Sequence, residues 1–163
     1  MNAIVAVSQN WGIGRDNRLL FSLPTDMKHF RATTLNATVI MGRNTLLSLP
    51  NRRPLPKRRN LILSTSLPEA EGLEVLRSIP ELLERVAGLD RNTVWVMGGC
   101  QVYRDLLPYC DRVVLTRVYA DAAADCFFPD LDALGWRAEA RGAVQEENGL
   151  RFRFFDYYPP HSV

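Results

Sequence analysis

The stretch VWVMGGCQVY, residues 94–103, decides the fold of this chain. It opens with a continuous apolar run, which is typical of a strand covered on both faces of a parallel sheet. Gly98 and Gly99 follow and lead directly into a helical pattern. Glycine permits close backbone approach, and the start of a helix offers free N–H groups to a phosphate. A tight turn without a ligand explains the pair equally well at this point, because Gly-Gly is a weak motif.

Strands and helices alternate outward from this turn. Strands are predicted at 3–7, 37–42, 59–65, 73–76, 93–99, 112–119, 136–144 and 151–158, and helices at 24–34, 43–49, 78–89 and 100–110. Because helices separate the early strands and the last two strands pair directly, the pattern predicts an α/β sandwich. We expect a mixed, mostly parallel eight-stranded sheet with an antiparallel C-terminal hairpin and helices on both faces. Residues 1–163 are predicted to form a single domain.

Composition narrows the classes of partner. The chain has 163 residues, of which 47% are apolar, and a formal net charge of +2, too small to indicate a polyanion partner. Cys100, Cys110 and Cys126 lack metal-type spacing, and their odd number argues against a disulfide framework. No metal site is therefore predicted. The N-terminus does not resemble a signal peptide, and no apolar run approaches membrane-spanning length. We expect a cytoplasmic protein with no membrane partner.

Two further predicted strands end in groups that bind anions. Gly42 is followed by Arg43, Asn44 and Thr45, and an arginine can hold a phosphate through two parallel hydrogen bonds. The next strand ends in LSTS, residues 63–66, with three hydroxyl side chains. An ordinary helix cap accounts for Thr45 taken alone. Three such ends at one edge of a sheet, however, favour a nucleotide with several phosphates.

The loop NRRPLPKRRN, residues 51–60, carries five cations between Arg52 and Arg59. Such a run is usually a solvated loop. A nucleic-acid patch is disfavoured because the loop lacks aromatic residues for base stacking. Arg58 stands at the start of a predicted strand, where an inward guanidinium could receive a ligand carboxylate. Spacing alone makes that the minority interpretation.

The stretch FSLPTDMKHF, residues 21–30, places an acid on an apolar helix face. Asp26 and Phe30 are four residues apart and so share one face, next to Leu23 and Met27, which look core-like. A carboxylate in the first turn of a helix is favoured by the helix dipole without any ligand. The alternative is a group that binds a ligand in an apolar pocket.

Together these stretches resemble the dihydrofolate reductase family in order and spacing. The resemblance implies reduction of 7,8-dihydrofolate to 5,6,7,8-tetrahydrofolate, with a hydride from NADPH to C6 and a proton delivered to N5 through water. The matching segments are GIGRDNRLLFSLPTDMKHF (12–30), VIMGRNT (39–45), RPLPKRRNLILS (53–64), VWVMGGCQVY (94–103), VVLTRV (113–118) and DCFFPD (125–130).

The resemblance assigns Asp26 to the pterin ring, where it binds the 2-amino group and N3. It assigns Thr116 to that acid and a bound water, and Arg58 to the α-carboxylate of the glutamate tail. The implied catalytic residues are Asp26, Phe21, Thr116 and Tyr103. The implied substrate-binding residues are Ile4, Val5, Asp26, Met27, Phe30, Leu49, Arg53, Arg58, Met97 and Thr116.

The resemblance also implies NADPH rather than NADH, because Arg43 and Thr65 match residues at the 2′-phosphate. It implies a cis peptide between Gly98 and Gly99, and a mobile lid at residues 10–23 that Asp125 can hold closed. The implied cofactor-binding residues are Ala6, Ile13, Gly14, Leu19, Arg43, Asn44, Thr45, Leu63, Ser64, Thr65, Arg77, Gly98, Gly99, Cys100, Gln101, Val102 and Tyr103.

This chain departs from the family pattern at three residues. Leu20 and Phe21 stand where the family usually has Pro-Trp, and Phe21 has no N–H to hold a water near the acid. Asn44 replaces a usual cation. Two rival functions stay open: a pyrimidine reductase of riboflavin synthesis on the same fold, and a non-catalytic NADPH- or folate-binding protein. We also expect a monomer that binds antifolate inhibitors and no nucleic acid.

Overall fold

The computed structural model describes residues 1–160. The strands are β1 Asn2–Val7, β2 Gly12–Arg15, β3 Arg18–Leu19, β4 Thr38–Gly42, β5 Arg59–Leu63, β6 Glu74–Leu76, β7 Val94–Gly98, β8 Arg112–Val118, β9 Cys126–Phe127, β10 Arg137–Glu147 and β11 Leu150–Tyr158. The helices are α1 Pro24–Thr34, α2 Arg43–Ser48, α3 Ile79–Val86 and α4 Cys100–Leu106. Within this part of the chain, no helix is long and apolar enough to cross a membrane.

Eight strands form one sheet in the order β10-β11-β8-β1-β7-β4-β5-β6. Neighbours from β8 to β6 run parallel, whereas β11 is antiparallel to both β8 and β10. Parallel neighbours need a crossover connection, which the helices between the early strands supply. The predicted mixed sheet with an antiparallel C-terminal hairpin is therefore confirmed.

Side chains of the central strands alternate between two apolar cores. In β1, for example, Ala3 and Val5 lie in one core and Ile4 in the other, as expected for a strand whose successive side chains point to opposite faces. Helices α3 and α4 pack on the first core, and α1 and α2 on the second, so helices cover both faces. The contributing helix side chains are Leu82, Leu106, Phe30 and Leu46.

The predicted helices begin where expected, and two of them end early. Ser78 Oγ accepts the backbone N–H of Glu81 at 3.2 Å and so caps α3. The predicted helix at 78–89 ends at Val86 instead. Helix α4 gives way to a 3-10 turn that contains Pro108, because proline has no N–H with which to continue the α-helical ladder.

A second sheet, in the order β3-β2-β9, corrects the prediction of a loop over residues 10–23. Strands this short carry no apolar alternation that a sequence pattern could reveal. Gly14 pairs with Leu19 of β3 and, on its other side, with Cys126 from a distant part of the chain. A Cβ on Gly14 would lie 2.7 Å from the carbonyl oxygen of Arg18. The tight β2–β3 turn therefore requires glycine at that position.

Candidate active site

The carboxyl ends of β1, β7, β4 and β5 lie side by side, because these strands are parallel neighbours. Helix α2 begins directly after β4, and helix α4 directly after β7. Ligands of open α/β sheets bind at this edge. The structure thus brings the three predicted anion-binding strand ends together, as the sequence analysis expects.

Asp26 projects from the first turn of α1 toward β8. The Thr116 hydroxyl donates to Asp26 Oδ1 at 2.6 Å, and Thr116 is only 2% exposed. Burial raises the pKa of Asp26 above its ordinary value, while the Thr116 hydrogen bond and the charge of His29 lower it in part. Desolvation is the largest of these influences. The acid is turned inward and not toward bulk solvent.

The face of α1 that carries Asp26 also carries Phe30, four residues later, which packs against an apolar core. Ile4 of β1, Phe30 of α1, Leu49 after α2 and Met97 of β7 pack in one core. The expectation that Met27 is core-like is wrong, since its side chain is 55% exposed. Adjacent helical residues are rotated by about 100° from each other, so Met27 cannot share the inward face of Asp26.

Three further predicted site residues, Val5, Ala6 and Phe21, lie in surroundings that differ from one another. The side chain of Val5 lies in the opposite core from Ile4, so only its backbone is available at the Ile4 face. Ala6 of β1 is the sheet partner of Thr116 and is half-buried. Phe21 packs half-buried against Leu23, Val118 and Phe152, and its ring offers no hydrogen-bond donor.

Tyr103 ties α4 to β1. Its hydroxyl donates to the carbonyl oxygen of Ile4 at 2.6 Å, and its ring packs edge-on against Phe128 at 4.9 Å between centroids. Burial raises the pKa of Tyr103, so the hydroxyl stays a neutral donor at physiological pH. A carbonyl oxygen has two lone pairs, which leaves one on Ile4 for another donor.

His29 is a neighbour of the acid that the sequence analysis missed. It lies three residues after Asp26 on α1 and stacks on Phe154 at 4.5 Å between ring centroids. Its Nε2 is buried and has no hydrogen-bond partner within residues 1–160. Burial lowers the pKa of His29, and the charge of Asp26 opposes that shift. The sequence signal that could have found His29 is its spacing of three residues from Asp26, which brings the two side chains close together on a helix.

A cationic corner lies at the C-terminal end of α1. Arg58 Nε donates to Thr34 Oγ1 at 3.2 Å, and its terminal nitrogen donates to the Pro56 carbonyl at 2.9 Å. Burial, and then the nearby charge of Arg31, lower the pKa of Arg58. Sequence reasoning missed Arg31, because its proximity depends on how α1 packs on β5. Arg53, another predicted substrate-binding residue, is exposed.

The turns that start α2 and α4 are built from backbone. Their N-caps are Gly42 and Gly99, neither of which supplies a side-chain cap, and neither first turn holds an acid. The Gly98–Gly99 peptide is cis, as predicted. A Cβ on Gly98 would lie 3.1 Å from Thr45 Oγ1. The glycines thus form a cradle of free N–H groups beside a hydroxyl, which fits a pyrophosphate.

The other predicted cofactor residues surround this cradle. Arg43 donates to Ser66 Oγ at 3.3 Å, and Arg77 donates to the carbonyl oxygens of Ser64 and Leu67 at 3.0 and 2.7 Å. Two arginines therefore flank the turn after β5, which suits a phosphate monoester. Of the rest, Thr65, Asn44 and Gln101 are exposed, Leu63 and Cys100 are half-buried, and Val102 is buried.

Three of the hydrogen bonds that hold the predicted lid are made with Asp125 and Asn44. The Asp16 N–H donates to Asp125 Oδ2 at 3.0 Å, and the Asp125 N–H donates to the Gly14 carbonyl at 3.0 Å. Asn17 Nδ2 donates to the Asn44 carbonyl at 3.0 Å. Asp125 thus holds the lid as the sequence analysis expects. Ile13 is half-buried, whereas Leu19, a predicted cofactor residue, is 65% exposed.

A depression of about 760 Å³ lies elsewhere on the molecule. Its lining includes Met1, Val94 and Asp111, at or beside the amino ends of β1, β7 and β8. None of the predicted site residues lines it. It is therefore at the opposite end of the sheet from the edge at which α/β sheets bind ligands.

Comparison with known proteins agrees with this geometry. The family model for dihydrofolate reductase matches residues 1–158. A dihydrofolate reductase of Bacillus subtilis is 35% identical, covering 98% of this chain and 94% of the relative. One of Mycobacterium tuberculosis is 40% identical, covering 90% and 89%. A type 3 dihydrofolate reductase of Salmonella typhimurium is also 40% identical, covering 84% and 83%. The glycine cradle, the inward acid and these matches place the chain in the dihydrofolate reductase family.

Proposed function

We propose that this protein reduces 7,8-dihydrofolate to 5,6,7,8-tetrahydrofolate with NADPH. The observation that carries the proposal is the Asp26–Thr116 pair, which lies in apolar surroundings at the sheet edge that also forms the glycine cradle. A flat heterocycle with adjacent N–H donors suits a half-buried carboxyl group. The relatives that carry the name dihydrofolate reductase support the same assignment.

Substrate orientation depends on a few side chains. The Thr116 hydroxyl donates a hydrogen bond to Asp26 Oδ1. The same carboxyl group binds the 2-amino group and N3 of the pterin. Phe30 and Leu49 contact the pterin and benzoyl rings. Arg58, together with Arg31, holds the glutamate tail, because a guanidinium pairs with a carboxylate through two parallel hydrogen bonds.

The residues present fit NADPH. The N–H groups at the starts of α2 and α4 and the hydroxyl of Thr45 hold the pyrophosphate, since neither helix carries a side-chain cap. Arg43 and Thr65 hold the 2′-phosphate. When bound, NADPH supplies the hydride that C6 of dihydrofolate receives. The lid, held by Asp125, excludes water from this reaction.

The proton at N5 arrives through water and not directly from Asp26. The acid binds the far side of the ring from N5, so its role is to hold and polarise the pterin. Thr116 fixes one oxygen of the acid. Phe21 offers no N–H to a water, so the lid side of the water site has one donor fewer than the usual tryptophan provides.

The decisive experiment is Asp26→Asn. We expect kcat with dihydrofolate near neutral pH to fall by roughly a hundredfold, because the pterin loses the charge that holds and polarises it. NADPH affinity, measured by fluorescence titration, should stay close to that of the wild type. Unchanged turnover would contradict the role of this acid.

The same assay separates the rival functions. NADPH oxidation is followed with dihydrofolate and, separately, with a ribosylated aminopyrimidine of the kind reduced in riboflavin synthesis. Oxidation only with the pyrimidine would support the first rival. NADPH binding without oxidation by either substrate would support a non-catalytic binding protein.

We further propose that the protein works as a cytoplasmic monomer, is inhibited by antifolates and binds no nucleic acid. The small net charge of +2 and the lack of aromatic residues in the basic loop 51–60 support the last point. Antifolates present ring N–H donors that Asp26 accepts as it does those of the pterin. Sedimentation analysis and inhibitor titration test the remaining two points.

A further inference from the structure

Two of the three cysteines lie on the contact between α4 and β9. Tyr103 of α4 packs against Phe128, which follows β9, at 4.9 Å between ring centroids. Cys100 is three residues before Tyr103 on the helix and therefore shares its face. Cys126 is two residues before Phe128 on an extended segment and shares its face. The thiols of Cys126 and Cys100 are close enough to interact.

The third cysteine has different surroundings. Cys110 is 5% exposed, and its thiol donates to the Leu106 carbonyl at 3.4 Å. Cys100 and Cys126 are half-buried, so small reagents can reach them. All three are free thiols. The pair on the α4–β9 contact is thus chemically distinct from the core cysteine, which serves as an internal control.

We infer that Cys100 and Cys126 form a dithiol modification site that closes to a disulfide by exchange with a low-molecular-weight disulfide. One protein thiolate attacks the reagent S–S bond, forms a mixed disulfide and releases one reagent thiol. The second protein thiolate then displaces the other reagent thiol. Two protein thiols are oxidised, one reagent disulfide is reduced to two thiols, and the two protons pass to those thiols.

The position of the pair connects it to two parts of the site. Cys100 is the first residue of α4 and directly follows Gly99 of the glycine cradle. Cys126 pairs with Gly14 of the lid, and the adjacent Asp125 holds the lid through Asp16. A disulfide therefore ties the cradle to the strand that supports the lid. We expect the oxidised protein to bind NADPH about fivefold more weakly than the reduced protein, which is a typical coupling between linked sites. This expectation rests on the proposed function.

Burial, and then the Cys100 thiol, raise the pKa of Cys126 to about 12. Because the thiolate is the nucleophile, exchange is slow near neutral pH and accelerates as pH rises. The direction of this pH dependence can be tested, since the disulfide should form faster at about pH 9 than at about pH 7.

Peptide mapping tests the site directly. The full-length protein is treated with oxidised glutathione, alkylated and digested with trypsin without reduction. The three cysteines fall in separate tryptic peptides, 92–104, 105–112 and 118–137. We expect a link between the first and third peptides that a reductant reverses. Glutathione adducts without this link, or links through 105–112, would overturn the inference.

A variant separates the functional consequence from the chemistry. Cys126→Ser removes the link but leaves Cys100 and its N–H in place. Reduced Cys126→Ser should bind NADPH like the wild type, and glutathione disulfide should weaken it much less. Equal weakening in both proteins would overturn the connection to the cofactor. Because mapping needs neither NADPH nor folate, failure of the proposed function leaves the link test intact.

Discussion

The two halves of the site hold their ligands by different means. The half around Asp26 relies on one acid and the buried Thr116, surrounded by apolar side chains. The half around Gly98 and Gly99 relies on backbone N–H groups and several exposed polar side chains. A function concentrated in one side chain is lost with one conservative substitution. A function carried by backbone is lost only when the backbone itself is displaced.

After Asp26→Asn, the largest effect on this comparison is expected from Gly98→Ala. The residue has φ of +137°, and an added Cβ would lie 3.1 Å from Thr45 Oγ1. We expect NADPH affinity to fall about thirtyfold, equivalent to ~2 kcal/mol of backbone strain. The matched control is Gly88→Ala, where an added Cβ meets nothing within 4 Å. Fluorescence titration showing equal affinities for the two variants would break the comparison.

Arg58→Gln tests the far end of the substrate half. Loss of one charge-assisted contact of ~1.5 kcal/mol should raise KM for dihydrofolate by about tenfold. KM for a dihydropterin without the glutamate tail should not change. Arg52→Gln, in the same exposed loop, is the control and should leave both values alone. An equal rise in KM for the tail-less substrate would show that Arg58 acts through folding and not through the tail.

Thr116→Val sharpens the role of burial at Asp26. Removal of the hydroxyl should cost about 1 kcal/mol and raise the pKa of Asp26 further. The native acid already binds its proton more tightly than the unfolded chain, so stability falls as pH rises through the window above 3.8. In the variant this fall should be larger and reach higher pH, as measured by urea unfolding across pH. The control is Thr38→Val, at a buried position of β4.

The smallest effect is expected from His29→Phe. Burial lowers the pKa of His29 in the native protein below its ordinary value of 6.5. In the pH range between the native pKa and 6.5, the unfolded chain binds more protons, so native stability falls as pH falls. Phenylalanine keeps the stacking on Phe154 and removes the unpartnered Nε2. We expect a gain of about 1 kcal/mol near pH 5 and less near pH 8, measured by urea unfolding. A gain independent of pH would assign it to packing alone.

Much of the site followed from local patterns. The apolar run before Gly98 and Gly99 predicted a buried strand and a turn that meets a helix, and Asp26 with Phe30 predicted an acid on an apolar face. The family resemblance then assigned roles that no spacing supplies. The prediction that Met27 is core-like was wrong, since its side chain is largely exposed. The residue type alone does not state which face of a helix is covered.

What the sequence by itself determined is the order of strands and helices, the glycine turn and the identity of the single acid, since all of these are written in contiguous residues. Only the tertiary structure decided that Tyr103 bonds to Ile4 and that Cys126 lies near Cys100. These partners lie far apart along the chain. Their meeting depends on how whole elements pack, and burial, which raises the pKa of Asp26, exists only once they have done so.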